Sequence, residues 1–371
     1  MLIRKLAAPV LAVFLCGCGH SGLSGGNRGN AMPARSEYAL GTLCRIDLFE
    51  SGTPGLYERL FARLAELELV LSANRDDSEL AACNRAGGPG AFDPSPDLAA
   101  VLERAHYFTG VSGGAFNPAL GPLIKRWDAG GRAGRVGDIP PDEEIRAALA
   151  LAVPDYLTAP WPPGAALDLG GIAKGYAADE LVRILKEEGA ARAVIDLGGN
   201  VYVWGDKPAP GNGGNVSGGN VSGGGAGGGA SGNGGDGGIV PWRVGIQDPL
   251  DERGAYAGIL ELAGGTSAVT SGVYERYFTG KDGRRYHHIL DPATGYPVDN
   301  DLLSVTIIAS SSMDADALST ACFVLGYEKG RALAESQGVK ALFIFTDKTI
   351  RGAAGALAAF VPAEGGWRVE P

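Results

Sequence analysis

Hydrophobic positions along the chain recur with two periods, one typical of strands and the other of helices. Residues Glu37–Glu50 alternate between apolar and polar positions, which predicts a first strand. Leu56–Leu71 carries leucines at helical spacing and predicts an amphipathic helix, and further helices are predicted at Pro96–Thr109 and, facing the surface, at Pro140–Leu149. The remaining pattern predicts strands at Ala165–Leu169, Ala193–Trp204 (a pair), Trp242–Ile246, Tyr256–Leu262, His287–Leu290, Leu303–Ala309 and Lys340–Thr346, and helices at Ala173–Glu188 and Met313–Leu325.

The order of these elements indicates the fold class. Strands and helices intermix without strict alternation, which favours a layered α+β architecture over a doubly wound sheet. The chain has 371 residues and 45% of them are hydrophobic, so a sizeable core can form. A chain of this length suggests about two domains at about 150 residues each.

The N-terminus has the pattern of a secretory signal. Arg4 and Lys5 precede the apolar run Leu6–Leu15, which fits a signal peptide over residues 1–17. Leu15–Cys18 resembles a bacterial lipobox, which would make Cys18 the lipidated first residue of the mature protein. We therefore expect a lipid anchor on the periplasmic side of a bacterial membrane, with ordinary cleavage as the alternative.

Two glycine-rich stretches lie on either side of core-forming sequence. Residues 18–36 are mostly polar and glycine-rich and predict a flexible tether, which leaves residues 37–371 as the folded domain. Within that domain, residues 211–238 contain two copies of Gly-Gly-Asn-Val-Ser and lack core-forming side chains. Such a segment cannot offset the entropy lost on ordering and predicts a disordered loop insertion.

Charge and cysteine content restrict the classes of function. The formal net charge of −10 argues against nucleic acid as a partner, because such binding depends on cationic contacts to phosphate. A nucleotide ligand remains compatible with this charge if a metal ion neutralises its phosphates. Cys44, Cys83 and Cys322 are scattered, so they predict neither a disulfide framework nor a metal site, and we expect them to pack in the core.

A glycine turn separates the predicted strand Ala165–Leu169 from the helix that follows it. The string Asp168–Tyr176 reads Asp-Leu-Gly-Gly-Ile-Ala-Lys-Gly-Tyr and leads into the helix N-terminus, where free backbone N–H groups bind anions. Lys174 adds a positive charge for a phosphate, and Asp168 is placed to anchor a hydroxyl or a ring nitrogen. An ordinary tight connection with a surface lysine is the alternative.

Asp316 and Thr320 are four residues apart at the start of the predicted helix Met313–Leu325. Residues at this spacing share one helix face, so a carboxylate and a hydroxyl can converge on one hard cation. Magnesium suits so sparse a pair, since it takes few protein oxygens and completes its shell with water and substrate phosphate. The alternative is that the acidic residues only cap the helix.

Two further stretches carry candidate chemistry. His287 and His288 are half of the chain's four histidines and lie in Tyr286–Val298, which has the pattern of a strand that ends in a polar turn. Histidine titrates near neutral pH, although a histidine pair at a strand end is also commonly structural. Ser112–Leu123 has small residues that would let a flat ligand approach the backbone, or it is a turn-rich connector.

Taken in order, these strings resemble the motifs of the ApbE family, the FAD:protein FMN transferases. The two most specific are Asp168–Tyr176 and the His-His-Ile-Leu-Asp-Pro-x-Thr-Gly string at His287–Gly295. The resemblance covers nearly the whole chain beyond the tether, apart from the glycine-rich loop. It runs through Gly41-Thr42, Asp77–Leu80, Ala115–Pro118, Asp168–Tyr176, Ile195–Asn200, Thr270–Gly272, His287–Pro297 and Ala315–Thr320.

This resemblance implies an activity and its partners. FAD would be the substrate, bound in a cleft between two subdomains. The FMN half would be transferred, with Mg²⁺, to a threonine hydroxyl of an acceptor protein, and AMP would be released. Family members are periplasmic, often lipoproteins, and their typical acceptors are membrane redox subunits.

The same resemblance implies roles for individual residues. Magnesium would be held by the side chains of Asp316 and Thr320 and by the carbonyl of Gly171. His288 would be the general base toward the threonine hydroxyl, or would only position a phosphate, with His287 as support. FAD contacts are implied, by position in the motifs, for Leu40, Asn74, Ala115, Phe116, Asn117, Asp168, Lys174 and Ile289.

Two positions depart from the family pattern. Asn117 stands where members commonly have Asp, which keeps a hydrogen-bond acceptor but removes a charge. Asn74 stands where many relatives have a tyrosine that covers bound FAD, so water could reach the substrate. A magnesium-dependent FAD pyrophosphatase that yields AMP and FMN is therefore one alternative function, and a non-catalytic FAD-binding lipoprotein is another.

Overall fold

The computed structural model describes residues 32–209, except 130, 154 and 159, and residues 238–371, except 252, 253 and 365. The predicted signal peptide, Cys18, most of the tether and nearly all of the glycine-rich segment lie outside these residues. The helices are α1 (Pro54–Leu71), α2 (Glu79–Ala86), α3 (Pro96–Val111), α4 (Gly121–Trp127), α5 (Asp142–Leu149), α6 (Ala173–Glu187) and α7 (Ser312–Ser336). The strands are β1 (Arg35–Ala39), β2 (Thr42–Asp47), β3 (Val136–Gly137), β4 (Ala193–Asp196), β5 (Asn200–Trp204), β6 (Lys207–Pro208), β7 (Ile239–Val240), β8 (Trp242–Gln247), β9 (Tyr256–Leu262), β10 (Thr266–Gly272), β11 (Tyr277–Gly280), β12 (Arg285–His287), β13 (Leu302–Ala309), β14 (Lys340–Phe345), β15 (Thr349–Ala353), β16 (Phe360–Pro362) and β17 (Arg368–Glu370).

A nine-stranded sheet organises the fold, in the order β1-β2-β4-β5-β10-β13-β14-β15-β17. Every neighbouring pair runs antiparallel except β15 and β17, which are parallel. A predominantly antiparallel sheet with helices gathered on one face is an α+β architecture. The fold class predicted from the sequence is therefore confirmed.

The core is layered on both faces of this sheet. Period-two alternation along β10 directs Val269 into the cluster that contains α1, α3, α6 and α7, and its neighbour Ala268 into the cluster on the opposite face. The opposite face is covered by the small antiparallel sheet β16-β9-β8. A third cluster, around Trp127 and Phe278, joins α4 and α5 to the sheet β12-β11-β3.

The predicted first strand, Glu37–Glu50, is wrong in one respect, because it is a hairpin of β1 and β2 rather than one strand. Leu40 and Gly41 form the two-residue turn between the paired residues Ala39 and Thr42, with φ of +51° and +71°. Positive φ at both positions is typical of tight hairpin turns, and leucine seldom occupies such a position. The strand β1 starts at Arg35, two residues before the position predicted for the first strand.

Two other predicted strands are wrong. Ala165–Leu169 is irregular, because Leu167 bonds through its N–H (2.9 Å) and carbonyl (3.0 Å) to the side chain of Asn84 instead of to a neighbouring strand. The strand predicted at His287–Leu290 lies earlier, since β12 ends at His287 and only an isolated bridge joins Leu290 to Pro297. Both segments therefore have irregular backbone, the form that loops carrying functional groups usually take.

Most of the other predictions are confirmed. The helix predicted at Met313–Leu325 matches the first part of α7, which is interrupted at Gly326, where φ is +73°. The surface position predicted for α5 is also found, since its one buried residue is Ile145. Cys44, Cys83 and Cys322 are buried and unpaired. Within the described residues, no helix is both long enough and apolar enough to cross a membrane.

Candidate active site

The N-termini of α6 and α7 cross at a glycine, and the candidate site is built around this crossing. A Cβ on Gly175 would lie 2.3 Å from the carbonyl oxygen of Ser312 and 2.6 Å from Cα of Met313, so only glycine permits the approach. Asp316, which is 4% exposed, accepts the backbone N–H of Gly175 on Oδ2 at 2.9 Å. The first turn of α7 therefore supplies a buried carboxylate to the first turn of α6.

The predicted pair of oxygen ligands lies on one face of α7. Thr320 follows Asp316 by one helical turn, and Ser271 on β10 contacts it, with 3.3 Å between the two hydroxyl oxygens. A Cβ on Gly171 would lie 3.4 Å from Thr320 Oγ1 and 3.2 Å from the ring of Phe116. The glycine turn before α6 thus lies beside Thr320.

The donor set of these residues suits magnesium. A carboxylate, a hydroxyl and a main-chain carbonyl are hard oxygen ligands, and Mg²⁺ prefers such oxygens together with water and phosphate. Among the described residues there is no cluster of three or more His, Cys, Asp or Glu side chains that could hold a metal. A magnesium ion at Asp316, Thr320 and Gly171 would therefore depend on the substrate for part of its coordination.

Lys174 lies between two buried carboxyl groups. Its Nζ donates to the carbonyl of Gly198 at 3.2 Å, in the turn between β4 and β5. Burial raises the pKa of Asp196 to about 6 and also raises the pKa of Asp316, and in both cases the charge of Lys174 opposes the rise. Lys174 is therefore not the surface lysine of the alternative interpretation, because it lies inside the site.

Asp168 and Asn117 shape two adjacent turns. Asp168 Oδ1 accepts the N–H of Gly170 at 2.8 Å, and its own N–H donates to the carbonyl of Pro118 at 2.8 Å. Asn117 Oδ1 accepts the N–H of Ala119 at 2.9 Å. Burial raises the pKa of Asp168. The segment Ala115–Pro118 is thereby fixed against the glycine turn that the sequence identified as an anion site.

The two histidines have different environments. His287 is buried, its Nε2 is 3.0 Å from the carbonyl of Val298, and its Nδ1 accepts the N–H of Ile289, so its hydrogen bonds are all used within the fold. His288 is partly buried, and its Nδ1 lies 3.2 Å from the carbonyl of Arg276. A carbonyl can only accept, so Nδ1 carries the proton and Nε2 is left as the basic atom.

The environment of His288 keeps its imidazole neutral. Burial is the largest cause, and the charge of Arg276 adds to it, so that the pKa is lowered from the ordinary 6.5 to about 3. The charges of His287 and Lys174 act in the same direction. At neutral pH this histidine can therefore accept a proton but does not already carry one, which is the state that a general base requires.

The remaining predicted residues lie in several places. Leu40 is in the β1–β2 turn, while Ala115 and Phe116 are buried beside the glycine turn. Ile289 is buried next to His288, and its carbonyl accepts the N–H of Val298. Asn74 is exposed in the loop between α1 and α2, where its N–H donates to Ser72 Oγ at 3.2 Å. No hydrogen bond joins Asn74 to another predicted residue within the described parts of the chain.

Three further polar residues of this region were not predicted from single motifs. Asp179 caps α7, since its carboxylate accepts the N–H groups of Ser312 and Met313 at 2.8 and 3.0 Å. Asp196 accepts the N–H of Gly198 and lies near Lys174. Buried Asn200 accepts a hydrogen bond from Ser312 Oγ at 2.7 Å. Asp196 and Asn200 lie within the motif string Ile195–Asn200, which was the available signal for them.

A small cavity lies elsewhere, between the main sheet and the sheet β16-β9-β8. Its walls include Gly199, Val244, Tyr256 and Thr270, and none of the predicted site residues lines it. Ala268 and Thr270 face this cavity, whereas Ser271 faces α7. The sheet therefore separates the cavity from Asp316, and the chemistry predicted from the sequence belongs to the helical face.

Comparison with known proteins agrees with this fold. The sequence model of the ApbE family matches residues 40–343. A FAD:protein FMN transferase of Treponema pallidum is 41% identical over 364 residues, covering 93% of this chain and 92% of that protein. The flavin transferase ApbE from Vibrio cholerae superposes with a TM-score of 0.69 at 29% identity, covering 88% of this chain and 100% of that one. The flavinyl transferase ApbE of Pseudomonas stutzeri, in its apo form, gives a TM-score of 0.63 at 31% identity, covering 84% and 90%. The chain belongs to the ApbE family.

Proposed function

We propose that this protein transfers the FMN half of FAD to a threonine hydroxyl of an acceptor protein, with magnesium, and releases AMP. The observation that carries the proposal is the crossing of α6 and α7, which places Asp316, Thr320 and Gly171 together beside Lys174. Oxygen ligands next to a fixed cation and a helix N-terminus form a site for a pyrophosphate. The names of the curated relatives support the same activity.

Each part of the site has a role in this reaction. Magnesium held by Asp316, Thr320 and the Gly171 carbonyl would polarise the pyrophosphate and offset the charge that develops on AMP. Lys174 binds the same phosphates, and its contact with the Gly198 carbonyl fixes its direction. Asp168 holds the glycine turn in shape through Gly170 and contacts the nucleotide.

Proton transfer in this mechanism falls to His288. The threonine oxygen attacks the phosphorus of the FMN half, the bridging P–O bond breaks, and AMP leaves with the electron pair of that bond. Nε2 of His288 accepts the hydroxyl proton, since its Nδ1 is already engaged by Arg276. Bound phosphates add negative charge near the imidazole and raise its pKa from about 3, which makes it a stronger base when substrate is present.

One experiment separates the three candidate functions. The mature protein is incubated with FAD and magnesium, with and without a protein that carries a candidate threonine, and AMP and protein-bound flavin are measured. Release of AMP that depends on the acceptor, with flavin retained on the acceptor after denaturation, supports transfer. AMP release without an acceptor indicates hydrolysis, and FAD binding without AMP release indicates storage.

Hydrolysis is the second candidate because of Asn74. This residue is exposed and short, so a water molecule has access where a tyrosine ring would cover the substrate. The variant Asn74→Tyr is expected to lower acceptor-independent AMP release several-fold while leaving FAD affinity equal or higher. Unchanged hydrolysis in this variant would show that Asn74 does not admit the water.

We also propose that Cys18 is lipidated and anchors the protein on the periplasmic side of the membrane. The order of basic residues, apolar run and cysteine at Arg4–Cys18 supports the proposal. Mass spectrometry of the membrane fraction should find a diacylglyceryl group on an N-terminal Cys18. The variant Cys18→Ser is expected to accumulate as an unmodified precursor, and normal processing of that variant would contradict lipidation.

A further inference from the structure

Arg276 lies in the loop between β10 and β11, and its backbone is already part of the candidate site. Its carbonyl accepts the backbone N–H of His288 at 3.0 Å and faces the imidazole Nδ1 at 3.2 Å. These two bonds set the ring orientation of the proposed general base. The position of Arg276 is therefore fixed relative to His288.

The side chain of Arg276 extends over the β1–β2 turn. A Cβ built on Gly41 would lie 3.8 Å from Nη2 of Arg276, which places the guanidinium beside the turn that contains Leu40. The same charge acts on two site residues, since it opposes the burial that raises the pKa of Asp168 and adds to the burial that lowers the pKa of His288. The guanidinium thus lies beside the Leu40–Gly41 turn, within electrostatic range of Asp168 and His288.

No acidic partner neutralises this guanidinium within the described residues. Arg276 is exposed and makes no ion pair there, although the same part of the chain contains arginines such as Arg63, Arg104 and Arg192 that do. Arg285 also lacks an ion pair within these residues, so Arg276 is distinguished by its place beside His288 and the Leu40–Gly41 turn. Its five N–H donors in a planar fork match the oxygens of a phosphate.

We propose that Arg276 is a substrate-binding residue whose guanidinium holds a phosphate oxygen of FAD at the Leu40–Gly41 turn. The inference rests on the proposed function, because it takes FAD as the substrate. The charges of Lys174 and Arg276 both act on the imidazole of His288, so the proposed proton acceptor lies within electrostatic range of two cations that could bind a phosphate. Arg276 thereby connects substrate binding to the proton acceptor, through its side chain on one side and its carbonyl on the other.

The test measures binding instead of turnover. Dissociation constants of FAD, ADP and riboflavin are determined by calorimetry with the folded mature protein in EDTA. ADP carries the pyrophosphate without a flavin, whereas riboflavin carries the flavin without a phosphate. In Arg276→Gln, the constants for FAD and ADP are expected to rise about tenfold, equal to about 1.4 kcal/mol, and that for riboflavin to change less than twofold. Arg276→Lys should give an intermediate loss, because it keeps the charge without the fork.

Arg285→Gln is the matched control. It removes the same charge from the neighbouring strand β12, where the guanidinium stacks on Tyr277 at 4.7 Å. This control should bind all three ligands like the wild type, and its thermal melting and that of Arg276→Gln should match within a few degrees. An unchanged ADP affinity in Arg276→Gln, or an equal loss for riboflavin, overturns the proposal. A wild-type protein that binds FAD and ADP but releases no AMP with magnesium and an acceptor protein would refute the proposed function, and these constants would still support or refute the role of Arg276.

Discussion

Replacing Asp316 with asparagine separates its structural role from its proposed metal role. The buried carboxylate accepts the Gly175 N–H at 2.9 Å, and an asparagine oxygen can accept the same bond at the same place. A hydrogen bond to a charged group contributes about 1.5–3 kcal/mol and a neutral one about 0.5–1.5 kcal/mol, so the exchange costs about 1 kcal/mol. Relief of the burial that raises the pKa of Asp316 offsets part of this cost.

Catalysis should respond far more strongly than stability to the Asp316→Asn change. A loss of about 1 kcal/mol corresponds to a shift in melting temperature of about 1–2 °C in a protein of this size. Loss of an anionic metal ligand removes several kcal/mol of charge stabilisation from the transition state, and about 3–4 kcal/mol equals a loss of about 100- to 1000-fold in rate. AMP release from FAD, followed by chromatography across a magnesium titration, measures this loss.

Asp314 offers a control on the same helix. Its carboxylate pairs with Arg104 through two bonds of 2.6 and 2.7 Å, and a quarter of its side chain (25%) is exposed. Asp314→Asn breaks this pair, which contributes about 0.5–1 kcal/mol when discounted for exposure, and should keep AMP release within about threefold. Asp316→Asn that retains half of the wild-type rate at limiting magnesium, or Asp314→Asn that loses as much, would refute the metal assignment.

Three further predictions concern charge, close packing and the glycine-rich segment. Lys174→Met should raise the pKa values of buried Asp196 and Asp316 further above their values in the unfolded chain. The variant should therefore lose more stability relative to the wild type at pH 8 than at pH 5. Urea unfolding at both pH values measures this loss, and an equal loss would contradict the prediction. Gly175→Ala should cost about 2–3 kcal/mol, because its Cβ would meet Ser312, whereas Gly55→Ala, with no atom within 4 Å, should be neutral or stabilising in the same unfolding assay. Replacing residues 210–237 with Asn-Gly should leave the melting temperature within about 3 °C and turnover unchanged, since β6 and β7 pair and Ala209 bonds to Gly238 at 2.7 Å; a large fall in either measurement would show that the segment stabilises the fold.

The sequence predicts elements well where one periodicity covers a whole segment. Leu56–Leu71 and Met313–Leu325 are helices in the structure because each carries an apolar stripe long enough to identify its period. The prediction is wrong where the backbone is held by distant partners. The backbone N–H and carbonyl of Leu167 bond to the side chain of Asn84, which is 83 residues away along the chain, and not to a neighbouring strand. No local pattern records such a partner.

The site shows the same division between local and distant information. The sequence shows two separate motifs, the spacing of Asp316 and Thr320 and the glycine turn at Gly171. Each motif alone is also compatible with a purely structural role. The structure shows why they belong together, since Asp316 caps the first turn of α6 from 141 residues away and Gly175 allows the two helices to touch. Asp316 does not cap its own helix, whose N-cap is Ser311, but accepts the Gly175 N–H of α6 through one carboxylate oxygen and keeps the other for a cation.

Two residues of the site show what the burial of charge implies for function. Asp316 is deprived of water and its pKa is raised, a cost that a protein tolerates only where a cation or a hydrogen bond compensates. Burial has the opposite effect on His288, because it lowers the pKa of the imidazole and keeps it neutral near Lys174 and Arg276. Anionic phosphates bound between these groups would offset the positive charges of Lys174 and Arg276, and magnesium would offset the negative charge of Asp316. We infer that the charges of the site are balanced only when substrate and metal are bound together, so each should tighten the binding of the other. The FAD affinity of the wild type should therefore increase with magnesium, and this dependence should be lost in Asp316→Asn.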